Sequence, residues 1–152
     1  MPTLKERIVE EIKDAMRAKD EIKLNTLRAM KSAIKYKEVE PGGKELDDAG
    51  VLSVMATLIK QRRESIEQFR AGKRDDLADK EEKEIAVIQG YLPQQLSAAE
   101  LSAEVAKAIT EAGAKSAKDM GAVMKVVSPR LKGKAEGKAI NDEVKAQLAK
   151  LA

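Results

Sequence analysis

Apolar residues in this chain recur every three or four positions, and nowhere do they alternate. Leu4, Ile8, Ile12 and Met16 fall at intervals of four, the spacing of one face of an α-helix. Leu24, Leu27, Met30 and Ile34, at intervals of three and four, mark a second such face. Val51, Met55, Leu58, Ile59, Ile66 and Phe69 extend it along a longer stretch. A half-buried strand needs period two, so the pattern predicts an all-α chain. Ala, Leu, Lys, Glu and Arg dominate the composition, and all five favour helix. With Tyr36, Phe69 and Tyr91 as the only aromatics, the core has to be built from aliphatic side chains and Met.

Helix ends are marked as clearly as helix faces. Thr3 and Glu6 read as a capping box that starts a first helix, and Asp20 starts a second. Pro41, Gly42 and Gly43 end the second helix. A long third helix is predicted from about Asp48 to Ala71, with Gly72 as its left-handed cap. A fourth is predicted from about Asp75 to Leu92, with Leu77, Ile85, Ile88 and Tyr91 or Leu92 facing inward.

Pro93 then interrupts, and the composition shifts from Glu/Arg-rich to Ala/Lys-rich. Ser97 with Glu100 forms a second capping box before Leu101, Val105 and Ile109, and Gly113 closes that helix. Ser116 and Asp119 open a sixth helix containing Met120, Val123, Met124 and Val127, which Pro129 is expected to end. A seventh runs from about Gly137 with Ile140, Val144, Leu148 and Leu151 on one stripe. The chain therefore divides into an N-terminal helical domain, 1–92, of about four helices, and a small C-terminal three-helix bundle, 93–152.

The residues present exclude several kinds of chemistry. There is no Cys and no His, which removes disulfides, thiol catalysis, Cys/His zinc sites and the Ser-His-Asp arrangement. No Gly-rich phosphate loop occurs, and no cofactor is expected. No run approaches a membrane span, and charges recur from Lys5 onward, so the default expectation is a soluble cytoplasmic protein with no membrane partner.

Charge is unevenly placed. Residues 1–92 carry 19 basic and 19 acidic side chains, whereas residues 94–152 carry 10 and 7. From Lys115 to Lys138 there are 7 basic and 2 acidic residues, a local excess of five positive charges. Within that stretch Lys125, Arg130, Lys132, Lys134 and Lys138 surround Pro129, Gly133 and Gly137. Lys and Arg can neutralise a phosphate backbone, glycines permit close approach, and the amides opening the last helix favour an anion. The same residues also fit a polar connection whose glycines serve only left-handed turns. Scarce aromatics argue against a stacking platform for single-stranded bases.

Two other charged groups are more simply structural. Arg62 lies four residues after Leu58 and four before Ile66, on or near the buried stripe, so it needs a carboxylate from Glu81, Glu82 or Glu84. Arg63 points elsewhere and is expected in solvent. Asp75, Asp76, Asp79, Glu81, Glu82 and Glu84 alternate with Lys80 and Lys83 around a helix, which describes a solvated face rather than a metal site.

Three stretches together resemble the YqeY-like family, whose C-terminal part is shared with the tail of the GatB subunit of tRNA-dependent amidotransferases. They are IKQRRESIEQFRAGKRDDLADKEEKEI from Ile59 to Ile85, YLPQQLSAAEL from Tyr91 to Leu101, and DMGAVMKVVSPRLKGKAEGKAIN from Asp119 to Asn141. The resemblance implies an all-helical two-part protein whose C-terminal bundle is similar to a tRNA-contacting module. It implies tRNA or another structured RNA as partner, or an aminoacyl-tRNA-handling enzyme. The candidate RNA-contacting residues, read from the charge and glycines of the Asp119 to Asn141 run, are Lys125, Arg130, Lys132, Gly133, Lys134, Gly137 and Lys138.

The chain departs from the family pattern in two places. Glu136 stands where Asp is usual, and Ala122 where Lys is common. Glu is the poorer helix cap. Because the nucleophile and metal ligands of amide transfer are missing, the expectation is a non-catalytic RNA-binding module. The alternatives are an amidotransferase-associated component, a carbon-nitrogen ligase with glutamine as amido donor, or a helical adaptor for a protein.

Overall fold

A computed structural model describes residues 2–151, and most of its helices begin where a short polar side chain serves the first amides. Among the described residues there are seven α-helices and no strand. They are α1 (Leu4–Ala18), α2 (Glu21–Val39), α3 (Asp48–Ala71), α4 (Asp75–Gln89), α5 (Ala98–Ala112), α6 (Met120–Leu131) and α7 (Gly137–Ala149). They form two compact units, Met1–Leu92 and Pro93–Ala152.

In the first unit Thr3 Oγ1 accepts the Glu6 amide at 3.2 Å, Asp20 Oδ1 that of Lys23 at 3.1 Å, and Asp47 Oδ1 that of Gly50 at 2.8 Å. Each such cap is worth about 1 kcal/mol. Ile8, Leu27, Met30, Val51, Met55 and Ile88 are fully buried, so α1 to α4 share one aliphatic core.

Three details differ from the sequence expectation. Met16 is 52 % exposed and Ala15 is buried in its place. At 3.6 residues per turn, a strict four-residue spacing drifts about 40° per step, so by the third step the stripe has rotated off the core. Gly72 has an ordinary φ of −86°, and Lys73 takes the left-handed conformation at φ 60°. The chain thus turns one residue later than the glycine, with Arg74 N bonded to Phe69 O at 2.7 Å. Finally α4 stops at Gln89, and Tyr91 enters the core from the following turn.

In the second unit both halves of the Ser97–Glu100 capping box form, at 3.0 and 3.2 Å. Gly113 ends α5 at φ 65°. Ser116 and Asp119 cap a single 3₁₀ turn, Ala117–Asp119, that leads into α6. Val105, Val123, Val127 and Val144 are completely buried and Leu148 nearly so, with α5, α6 and α7 packed around them.

Pro129 does not end α6, which continues to Leu131. Pro129 has no amide to offer the Lys125 carbonyl and its ring crowds that oxygen, which costs about 3 kcal/mol in a helix interior. Burying Leu131, which is 2 % exposed, returns about 1.5–3 kcal/mol. That burial offsets much of the cost, and the helical last turn puts Arg130 on a helix instead of in a loop.

Candidate nucleic-acid interface

The connection from α6 to α7 is short and fixed at both ends. Leu131 O accepts Lys134 N at 2.9 Å and Ala135 N at 3.3 Å, closing the end of α6. Gly133 is buried in a left-handed conformation, φ 79°, where a Cβ would lie 3.6 Å from Pro93 Cδ. The Gln95 side-chain amide donates to Gly133 O at 2.7 Å and to Pro93 O at 2.9 Å. Leu96 N donates to Lys134 O at 2.9 Å, while the Leu96 side chain packs on the aliphatic core. Gly133 therefore serves the turn and its contact with the Pro93 segment, and it does not present open backbone to a ligand.

Two lysines of the connection and one of α6 are, by contrast, open to solvent. Lys125, Lys132 and Lys134 are exposed and make no ion pair among the described residues. Gly137 is the first residue of α7, and a Cβ there would meet nothing within 4 Å. Glu136 holds the N-cap position at φ −69° and ψ 144° but makes no capping hydrogen bond. Glu136, like the exposed Lys138, has a contact of its own. The opening of α7 thus differs from that of α5, where the Ser97 amide bonded to Glu100 holds that carboxyl below the usual range. An uncapped helix start carries a partial positive charge that attracts anions.

Arg130 stands apart from these lysines. Its Nη2 lies 2.6 Å from Glu111 Oε2 on α5, and that carboxylate raises the basicity of the guanidinium. Of the seven residues implicated by sequence, the structure leaves Lys125, Lys132 and Lys134 as exposed cations without an ion pair among the described residues. It puts Gly137 at an open helix start, engages Lys138 and Arg130, and buries Gly133. Gln95 was missed as a contributor. In the sequence it was one polar residue within YLPQQL, with no periodicity to place it.

The charged groups of the first unit are occupied structurally. Arg62 Nε is 3.0 Å from Glu84 Oε2 and 3.8 Å from Glu81 Oε2, and the Arg62 and Glu84 side chains are each 15 % exposed. Desolvation, reinforced by Glu84, raises the Glu81 carboxyl. Arg63 is half-buried and has a partner, contrary to the solvated expectation. The acidic face of α4 is bound by arginines: Arg70 reaches Asp75, Asp79 and Glu82 at 3.3, 3.2 and 3.5 Å, and Arg74 reaches Asp76 at 3.2 Å.

A second cluster joins α1 to the turn after α4. The Tyr91 hydroxyl donates to the Glu11 carboxylate, and the Arg7 guanidinium lies 4.2 Å from the Tyr91 ring centroid. Arg7 also bonds Glu11 at 2.9 Å and Gly90 O at 3.1 Å. No described helix is long and apolar enough to cross a membrane.

These features define an all-helical protein of two units, the second of which exposes a set of lysines around a clamped interhelical connection. The family model described as Yqey-like protein matches residues 5–148, and the chain belongs to the YqeY-like family. Among curated proteins it is similar to altered inheritance of mitochondria protein 41 of Lachancea thermotolerans, 42 % identical over 103 residues that cover 66 % of this chain and 55 % of that protein. The protein of the same name from Saccharomyces cerevisiae is 44 % identical over 91 residues, covering 60 % and 49 % of the two chains. That from Kluyveromyces lactis is 39 % identical over 105 residues, covering 67 % and 56 %.

The chain thus spans about half the length of the curated relatives it matches. Those relatives are named as mitochondrial proteins, which overturns the cytoplasmic expectation. That expectation rested on the absence of an apolar span and on charges spread along the chain. Both properties distinguish membrane-spanning chains from others, but neither distinguishes one aqueous compartment from another.

Proposed function

We propose that this protein is a non-catalytic helical module that binds structured RNA, with tRNA as the leading ligand. Residues 93–152 would be its RNA-binding domain, and residues 1–92 a second helical domain. The observation that carries the proposal is the set Lys125, Lys132 and Lys134: exposed, without ion-pair partners among the described residues, and set in a segment with five excess positive charges. A cation already neutralised within the protein gains little from a phosphate. An unneutralised one releases the counterions of the nucleic acid on contact. The uncapped start of α7, with Gly137 open beside it, supplies amide donors of the same polarity. With no aromatic platform, recognition rests on backbone charge and helix shape, as for folded RNA.

The test is a salt titration of binding to unfractionated tRNA. This reading expects the logarithm of affinity to fall linearly with the logarithm of salt, by roughly 0.7–0.9 per phosphate contacted. Binding that is absent at low salt, or indifferent to salt, rejects it.

A further inference from the structure

The proposed RNA reading leaves unused the polar contacts that hold the lysine-bearing connection from behind. Lys132 and Lys134 flank Gly133, and the backbone of this tripeptide is tied to the segment Pro93–Leu96 by two bonds. One runs from Gln95 Nε2 to Gly133 O at 2.7 Å, and the other from Leu96 N to Lys134 O at 2.9 Å. Gln95 also donates to Pro93 O at 2.9 Å, so one side-chain amide spans both strands of the contact. Gly133 is left-handed at φ 79° and packs on Pro93, so the turn has no Cβ to separate the two segments. Behind it, the Leu96 side chain is anchored on the core.

Lys side chains lose several rotamers on binding, and a mobile backbone beneath them adds to that cost. A connection fixed before the ligand arrives leaves less freedom to be lost.

We propose that Gln95 is a positioning residue for nucleic-acid binding: through the Gly133 carbonyl it fixes the turn that presents Lys132 and Lys134 to phosphate. The inference rests on the RNA reading above. Gln95 touches no ligand in this scheme and acts only through the two lysines.

The experiment uses the full chain, unfractionated tRNA, and three variants: Gln95→Met, which keeps length but removes the donor; the pair Lys132→Ala with Lys134→Ala; and the combination. Gln95→Met is expected to weaken binding about threefold to tenfold, the range for one or two side chains that must be ordered on association. In the background lacking both lysines it is expected to have no further effect, because coupled residues are not additive. A structural role alone would multiply the two losses, and that result overturns the proposal.

Wild-type affinity in Gln95→Met, with clear loss in the lysine pair, overturns it while leaving the RNA reading in place. Unchanged binding in the lysine pair removes the RNA reading itself, and Gln95 then has nothing to position. Backbone ¹⁵N relaxation of the wild-type protein gives a check that needs no variant. Residues 132–134 are expected to be as ordered as α6 and α7, and a mobile connection overturns the proposal.

Discussion

Arg130 and Glu111 meet at 2.6 Å between α6 and α5, and this contact divides the basic segment into a cation already neutralised and cations that are not. The side chains are 39 % and 49 % exposed, so solvent screens the pair and it adds little to stability. Its larger effect is on what Arg130 offers to a ligand.

Glu111→Gln should therefore release Arg130 and strengthen tRNA binding, about twofold to fivefold at low salt. The salt dependence should steepen by up to about one phosphate contact. The melting temperature should change little. Unchanged or weaker binding would show that Arg130 is directed away from the ligand.

Arg62 and Glu84 form the opposite case, a pair only 15 % exposed on each side between α3 and α4. Replacing Arg62 by Met leaves Glu84 and Glu81 partly buried without their cation. The expected loss is about 1–3 kcal/mol in urea unfolding. Adding Glu84→Leu to Arg62→Met should recover much of that loss. An equal or deeper loss in the double variant would mean that the pair itself was a net source of stability.

Tyr91 should hold its proton far into alkali while the protein stays folded. The desolvated hydroxyl, bonded to the Glu11 carboxylate, has its pKa raised well beyond the ordinary value. Tyr36 is 75 % exposed. A tyrosinate absorbance titration should show the Tyr91 proton, ordinarily lost near about pH 10, released only as the protein unfolds in alkali. Because the folded pKa is the higher one, the stability from Tyr91 is complete below about pH 10. It is lost as pH rises further, when the unfolded chain gives up its proton first. Release of the Tyr91 proton while the protein is still folded would contradict the buried hydrogen bond.

Backbone geometry predicts two substitutions of opposite sign. A Cβ on Gly43 would sit 2.6–2.8 Å from the carbonyl oxygens of Lys37, Glu38 and Glu40, so Gly43→Ala should cost about 1–3 kcal/mol. Lys73 carries the left-handed turn after α3 at φ 60°, so Lys73→Gly should gain roughly 0.5–1 kcal/mol as relief of strain exceeds the added chain entropy. Thermal unfolding of both variants reads the two signs directly.

Much of the helix pattern was legible because local chemistry decides it. The caps at Asp20 and Ser97 and the terminator at Gly113 act within one turn of their own position. Arg62 could be assigned a carboxylate because a charge on a buried stripe has few alternatives. What escaped was decided by competition or by distance. Pro129 looked like a stop, but α6 continues to Leu131, whose burial offsets much of the cost of the proline. Gly72 looked like the left-handed residue, but the turn closes on Lys73. In the candidate interface the basic side chains were visible as composition, while their partners were not. Glu111 lies 19 residues before Arg130, and Gln95 lies 38 before Gly133, beyond the reach of any periodicity.

RNA binding through the unpaired lysines is tested most directly by comparing two charge reversals of equal size. One places Glu at Lys125, Lys132 and Lys134, and the other at Lys31, Lys60 and Lys80, which are exposed in the first unit. The measured quantity is affinity for unfractionated tRNA across a range of salt. If the lysine set carries binding, the first variant loses at least about tenfold in affinity and roughly two to three contacts from the salt slope, while the second keeps most of both. Equal losses in the two variants, or no loss in the first, would contradict it.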